Sequence, residues 1–403
     1  MLMFIMGIYT LYILVKMYIS LLEMDFVKKA RKQRPVVLDA RTYIEAAEYK
    51  IDSQKISLVS SLYDFLLFFG WIGFGLSYLD NALSIENPLL KSIVYVDAFI
   101  IVNYILSLPF ELFQTFNLDK RYGFSTIDIK TYIIDQIKSG VMFLIFGSLL
   151  VLLISWIMLN LANWWIWGFV AIFAVVLFIN MIYPTLIAPI FNKFTPLEDD
   201  ELRSSIEALL AKAGLKSSGV FSIDASKRDK RLNAYFGGLG KSKRVVLFDT
   251  LIQKLQKYEL LAVLGHELGH FKHKDILKNI ASSAVLLFVM FGFFGNLPNS
   301  LFEALHVNET PHMVIVLFFL LSPVLSFILM PLMSAMSRAN EYAADEYGSE
   351  CESKEALGSA LMKLAGENKA FPLSHKLTIV FYHSHPELVQ RLERLGVDIY
   401  KNA

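Results

Sequence analysis

Seven apolar runs constrain this chain more than any other feature. They lie near residues 2–22, 58–79, 90–110, 139–160, 163–187, 278–297 and 312–334. A helix needs about 20 apolar residues to cross the hydrocarbon core of a bilayer, and each run is of that order. Lipid offers no partner to backbone N–H and C=O groups, so runs of this kind must close their hydrogen bonds internally as helices. The fourth and fifth runs are joined by the short link NLAN and form a hairpin. Pro109, Pro323 and Pro331 fall within the third and seventh runs, where kinks are expected. Hydrophobic residues make up 55% of the chain and charged residues 19%, which fits a mainly α, polytopic membrane protein.

Loop charge sets the orientation. KKARKQRP follows the first run, and Lys120, Arg121, Lys130 and Lys138 lie around the loop at 111–138. The loops 80–89 and 298–311 carry no Lys or Arg. The alternation places the N-terminus outside and the C-terminus in the cytoplasm, so segment 190–277 and everything after 335 face the cytoplasm. The net charge of +1 gives no reason to expect nucleic acid as a partner. Cys351 is the only cysteine, which excludes an intramolecular disulfide and any cysteine-based zinc knuckle. The first run has no basic segment before it and no clear cleavage site, so it reads as a span, not a secretory signal. Lys16, Asp64 and Asp97 fall within apolar runs. Intramembrane charges are functional candidates by default, but here no spacing ties them to chemistry, and charges near span ends or a wet interior are the ordinary reading. No histidine lies deep within a span, which argues against a metal transporter.

Between the fifth and sixth runs the pattern changes. TPLE at 195–198 offers Thr195 as a cap, Pro196 at the first helical position and Glu198 to complete a capping box. The helix that follows should bury Leu202, Ile206, Leu209 and Leu210 and stop at Gly214. GVFSIDA, LNAYFGGL and KRVVLFD read as short strands. The basic run SKRDKR between the first two reads as a solvated turn. A helix from about 256 follows, and a polar helical segment, SRANEYAADEYG, comes after the seventh run. The chain thus divides into 1–190 (five spans), 191–277 (a cytoplasmic α+β part), 278–334 (two spans) and 335–403 (C-terminal helices).

The helix from 256 contains LAVLGHELGHFKHK at 261–274. Positions i and i+4 share a helix face, so His266 and His270 can present two imidazoles to one zinc ion. Glu267 lies beside them, placed to take a proton from the attacking water. With eight histidines in the chain, an HExxH arises by chance roughly once in 100 such sequences. The bland alternative, two helix histidines and a surface glutamate, leaves Gly265 and Gly269 unexplained. Each costs about 1 kcal/mol in a helix interior relative to alanine, so another element is expected to pack closely there. His273 is a poor third ligand, because it lies about 10 Å along the axis from His266. The third histidine of metzincin-type spacing would fall at 276, which is isoleucine. NEYAAD offers Glu341 as the third ligand, with Asp345 one turn later to hydrogen-bond a ligand histidine. The topology returns this segment to the membrane surface that carries HELGH.

HELGH, SRANEYAAD, LNAYF, IAPIFNKFTPL, FNLDKRYGFS and HSHPELVQRL together resemble the type 1 CaaX prenyl proteases, integral membrane zinc metalloendopeptidases. The similarity extends over roughly residues 45–395. It implies seven spans around a water-filled chamber, with a small zincin-like unit at the cytoplasmic end. It implies one zinc ion per chain on His266, His270 and Glu341, with Glu267 as general base. Asn233 and Ala234 fall on the strand that pairs with substrate backbone in such enzymes. His385 matches a histidine that stabilises the oxyanion. Arg391 also matches a family position, grouped here with Asp345 behind the ligands, its role open. The expected partners are a peptide or protein substrate, prenylated in the namesake activity, and the lipid bilayer. The brief loops suggest a prokaryotic member in an inner membrane, or the endoplasmic reticulum membrane for a eukaryotic one. Oligomeric state is left open.

Two other readings compete. A heat-shock-type membrane zinc protease shares HExxH and a similar ExxAD segment but has fewer spans. A non-catalytic membrane scaffold would have no use for Glu267, since zinc binding alone does not need it.

Overall fold

The computed structural model describes residues 1–215, 217–238 and 243–400. Each of the seven apolar runs lies in a helix: α1 (Leu2–Ala30), α2 (Ala40–Ala82), α3 (Pro88–Arg121), α4 (Ile129–Asn160), α5 (Trp164–Phe191), and, later in the chain, Asp275–Phe294 and Pro311–Cys351. Side-chain caps set several starts. Asp39 accepts from the backbone N–H groups of Arg41 and Thr42 at the head of α2. Asn87 does the same at α3, where Pro88 takes the first helical position, which needs no donor. Asn163 adopts a left-handed conformation (φ 52°) in the link between α4 and α5, a backbone state that asparagine tolerates. Single π-turns interrupt α2 to α5, at Trp71–Gly75, Gln114–Leu118, Phe143–Gly147 and Tyr183–Ile187. No feature of the apolar pattern marks them. The segment expected as a loop from 111 therefore stays helical through Arg121.

The part between the fifth and sixth spans comprises β1 (Phe194–Pro196), α6 (Asp200–Lys212), β2 (Val220–Ile223), β3 (Ala234–Gly237), β4 (Arg244–Phe248), α7 (Asp249–Lys254) and α8 (Lys257–Lys272). The sixth span, α9 (Asp275–Phe294), then leads through α10 (Asn299–Ala304) into α11 (Pro311–Cys351). Finally come α12 (Lys354–Glu367), α13 (Lys376–Tyr382) and α14 (Leu388–Leu395). The sheet order is β1-β2-β4-β3, with β2 and β4 parallel and the two outer pairs antiparallel.

Two local expectations need correction. TPLE does not cap α6: Thr195 and Pro196 belong to β1, opposite Ser222 and Phe221. Asp199 is the cap instead, accepting from the backbone N–H of Leu202 at 2.9 Å. Proline is tolerated on this outer strand because an edge can spare a donor. The buried face of α6 is as expected, with Leu202, Ile206, Leu209 and Leu210 inside, and Gly214 follows it at φ +71°.

The second correction concerns SKRDKR. Lys227 and Lys230 are exposed, but Arg228 and Arg231 are not. Arg228 donates to both carboxylate oxygens of Asp135 on α4, at 2.7 and 3.0 Å. Arg231 donates to Asp119 at 2.9 Å and to the Tyr49 hydroxyl at 2.8 Å. This run joins the sheet unit to the spans. Its carboxylate partners lie about a hundred residues away in sequence, so charge patterning alone showed only a basic turn.

Two packed regions fix the orientation of the site. One gathers Leu202, Ile206, Val245, Leu247, Leu260 and Leu264 between α6, the sheet and α8. The other joins Val27 of α1 and Tyr43 of α2 to Leu361 of α12 and Leu392 of α14. The C-terminal helices are thus clamped to the ends of the first two spans.

Candidate active site

Helix α8 starts with a full capping box: the Gln256 side chain accepts from the backbone N–H of Glu259, and Glu259 accepts from the backbone N–H of Gln256. Glu259 is wholly buried, held by Ser359 at 2.6 Å and Lys363 at 2.7 Å from α12. The start of the histidine helix is therefore fixed by a charge-assisted network.

The most extensive helix contact in the molecule is between α8 and α11, and glycines make it possible. A Cβ on Gly265 would lie 2.8 Å from Cβ of Cys351, and one on Gly269 would lie 2.8 Å from Cα of Ala344. From the other side, a Cβ on Gly348 would lie 2.8 Å from the backbone N of His266. The expected close approach at the two glycines is present, and α11 is the element that makes it. The polar segment SRANEYAADEYG is not a separate helix. It is the last part of α11, which runs unbroken from the seventh span and so delivers Glu341 to α8.

At this crossing His266, His270 and Glu341 offer ligand atoms that all lie within 4.8 Å of one another. Nε2 of His266 is 3.5 Å from Glu341 Oε2, and Nε2 of His270 is 3.3 Å from Glu341 Oε1. Both histidines thus turn the same nitrogen toward one carboxylate. Their Nδ1 atoms face other carboxylates: Asp345 Oδ1 lies 2.8 Å from His266 Nδ1, and Asp275 Oδ2 lies 2.9 Å from His270 Nδ1. Asp345 in turn accepts two hydrogen bonds from Arg391 of α14, at 2.8 and 2.6 Å. Asp275 accepts from Lys278 at 2.7 Å. Each histidine is oriented by a carboxylate that is itself held by a cation, the usual support for metal-ligating imidazoles.

Asp275 was missed by sequence reasoning. It is the first residue of α9, reached through Lys274 in a left-handed conformation (φ 58°). That tight reversal returns Asp275 onto His270, and spacing within one helix could not reveal it.

His273 stands at the end of α8 and is not among the three converging ligands. Glu267 is mostly buried. Burial, reinforced by the charge of Glu341, raises its carboxyl pKa despite the opposing histidines. His270 loses from burial, but hydrogen bonds with Glu341 and Asp275 outweigh this and lift it to about 9.

Do these residues fit a metal? Glu341 is only 3% exposed, and its Oε2 has no hydrogen-bond partner among the described residues. A buried carboxylate oxygen left without a partner is costly. Two imidazoles and one carboxylate are the nitrogen and oxygen donors of a catalytic zinc site with an open position. The donor set fits.

His385 lies on the turn before α14, with Nε2 at 3.3 Å from Glu341 Oε1 and its side chain 58% exposed. It borders the same cleft. Asn233 precedes β3, the last strand of the sheet. Its own side chain accepts from the backbone N–H of Ala234, and its backbone carbonyl accepts from Phe248. A cavity of about 240 Å³ continues from Glu267, His270 and Glu341 along Phe236 and Gly237 of β3. His266, His270, Glu341 and His385 thus come together, with Asp345 and Arg391 directly behind them, whereas Asn233 and Ala234 are not among the residues that line this cavity.

Residues 24–193 match the profile of the CAAX prenyl protease N-terminal region with five membrane helices, and residues 196–397 match peptidase family M48. The chain belongs to the membrane CAAX prenyl protease branch of peptidase family M48. It is 32% identical to a CAAX prenyl protease 1 homolog of rice over 380 residues, which is 89% of this chain and 88% of that protein. It is 30% identical to CAAX prenyl protease 1 of Saccharomyces cerevisiae over 392 residues, covering 89% and 86% of the two chains. The crystal structure of S. mikatae Ste24p superposes with a TM-score of 0.89 at 28% identity, covering 98% of each chain. The protein is therefore a multi-pass membrane metalloendopeptidase acting on peptide or protein substrates. The match to the five-helix N-terminal region sets aside the heat-shock-type reading, and membership of a peptidase family sets aside the scaffold.

Proposed function

We propose that the protein is a zinc endopeptidase that cuts lipid-modified or membrane-associated substrates near their C-termini, in a chamber enclosed by its spans. The convergence of His266, His270 and Glu341 beside Glu267 carries this reading. His266 and His270, through Nε2, and Glu341, through its carboxylate, would hold the zinc. When bound, zinc supplies a Lewis acid that polarises the scissile carbonyl and acidifies the attacking water.

Glu267 accepts the proton of that water and passes it to the leaving amine. His385 donates an N–H to the developing oxyanion, and its exposure on the cleft rim leaves it free to meet substrate. The free edge of β3, starting at Asn233 and Ala234, pairs with substrate backbone as an added strand. Asp345, with Arg391 behind it, and Asp275 orient the ligand histidines.

Only 6–22% of the apolar windows of α1 to α5 is buried within the protein, which leaves the rest to lipid or to an interior space. Helices in a filled bundle bury a whole stripe against their neighbours. Intramembrane polar contacts also suit a wet interior. Lys16 lies 3.8 Å from Asp64, with side chains 25% and 46% exposed, and Ser148 donates to Asp97 at 2.7 Å. The basic loops at its end of the spans support a cytoplasmic site. Parts 191–277 and 335–403 act as one peptidase unit divided by the two spans at 278–334. Leu247 and Leu264 of the first share a core with Ala360 of the second, which supports this division.

The test is hydrolysis of a farnesylated CaaX peptide by the purified protein, beside the same peptide without the lipid. Cleavage of the lipidated peptide near its C-terminus, abolished by chelation and restored by zinc, is the expected result. Efficient cutting of unfolded soluble protein without cleavage of the lipidated peptide would refute the substrate assignment.

A further inference from the structure

A second cavity, of about 470 Å³, opens between α2 and α3, away from the zinc ligands. Its walls are apolar: Val59 on α2, and Phe110 and Phe113 on α3. Val59 is 58% and Phe113 50% exposed, so no other part of the described chain covers them. The mouth is charged and carries Lys55, Arg121 and Asp52.

The mouth lies at the peptidase end of the spans. Arg121 and Tyr122 lead directly into Phe124, whose carbonyl accepts from the backbone N–H of Lys230. Ser125 pairs with Asp229 in an antiparallel bridge. The cations therefore sit near the level of a bilayer interface, with the apolar slot running toward the hydrocarbon.

Charge at the mouth is unbalanced. One carboxylate, Asp52, serves three donors. Its Oδ1 accepts from Lys55 at 2.8 Å, and its Oδ2 accepts from the Tyr122 hydroxyl at 2.9 Å and from Arg121 at 3.5 Å. The Lys55 and Arg121 side chains remain 58% and 66% exposed. Among the side chains that line the groove, two cations face one anion above an apolar slot. Arg121 retains N–H donors beyond the one directed at Asp52, in the planar arrangement that suits phosphate oxygens.

We propose that this groove binds one anionic phospholipid of the surrounding bilayer. Lys55 and Arg121 take its phosphate, and an acyl chain lies along Val59, Phe110 and Phe113. Free phosphate would leave the apolar slot without a function, and a neutral prenyl chain would have no use for the cations. Asp52 holds both cations in place between lipids.

Native mass spectrometry of the detergent-purified full chain, titrated with phosphatidylglycerol or phosphatidylcholine of the same acyl chains, tests the proposal. Each basic side chain near an anionic lipid contributes roughly fivefold in affinity. The wild type should therefore retain one phosphatidylglycerol at least roughly tenfold more tightly than phosphatidylcholine. The Lys55→Ala/Arg121→Ala double variant should lose that preference, while its cleavage of a soluble peptide confirms an intact fold. Lys55→Arg/Arg121→Lys, which keeps the charge, should retain most of it. Equal retention of the two lipids by the wild type would overturn the proposal, as would an unchanged preference in the double alanine variant. Displacement of the lipid by farnesylated peptide at one-to-one stoichiometry would instead assign the groove to the substrate anchor.

Discussion

Arg391 donates two hydrogen bonds to Asp345, at 2.8 and 2.6 Å, and Asp345 lies 2.8 Å from Nδ1 of His266. All three residues are less than 9% exposed. A cation on α14 thus holds a carboxylate of α11 against an imidazole on α8. This gives Arg391, whose role the sequence left open, a physical task. Arg391→Ala would leave Asp345 charged and buried without its partner. Zinc affinity is expected to fall by about 10- to 100-fold, the usual loss when such a supporting group is removed. Arg391→Lys should recover only part, because an ammonium cannot reproduce the two parallel bonds. Competition with a chelator of known affinity measures both variants.

Asp275 supports His270 in the same manner, so Asp275→Ala should weaken zinc by a comparable factor. Glu341→Ala should lose zinc outright, and His273→Ala should retain it near the wild-type level. Metal content per chain after dialysis ranks the three. Equal loss from His273→Ala and Glu341→Ala would mean that the third ligand is wrongly assigned.

Gly269→Ala places a methyl 2.8 Å from the Cα of Ala344. Backbone cannot turn aside as a side chain can, so α11 must shift and carry Glu341 with it. A destabilisation of about 1–3 kcal/mol is expected, accompanied by lower zinc content. Gly140→Ala, in open space on α4, should be neutral or slightly stabilising through helix propensity. Thermal inactivation rates of the two variants beside wild type give the comparison.

His383 precedes His385 by two residues. Burial, with Lys50 nearby, lowers its pKa from the ordinary 6.5 to about 4. Between these values the unfolded chain binds a proton that the folded chain refuses. Stability from this group is therefore complete above pH 6.5 and declines as pH falls toward 4. Inactivation at pH 5 should be faster than at pH 7.5, and His383→Gln should flatten that difference. A pH dependence unchanged by the substitution would place the acid sensitivity elsewhere.

How much of this was legible in the sequence follows from the range of the interactions involved. The spans were readable because lipid imposes a length and a composition on every crossing segment. His266, Glu267 and His270 were readable because one helix turn fixes their spacing. Gly265 and Gly269 announced a close neighbour, though they could not name α11 as that neighbour. Asp275 was hidden by a reversal at Lys274, and the partners of Arg228 and Arg231 by a separation of about a hundred residues. Thr195 was misread because a local cap and an edge strand compete for the same short polar segment, and pairing with β2 decided the outcome. The π-turns left no periodic trace, since each spans only five residues.

The central claim is that Glu267 moves the proton while His266, His270 and Glu341 hold the metal. Its most direct measurement is zinc content and peptide hydrolysis on the same preparation of Glu267→Ala. The mechanism predicts one zinc per chain, as in the wild type, with hydrolysis reduced by about a hundredfold to ten-thousandfold, the usual contribution of a positioned general base. A variant that keeps its zinc and cleaves at the wild-type rate would contradict it.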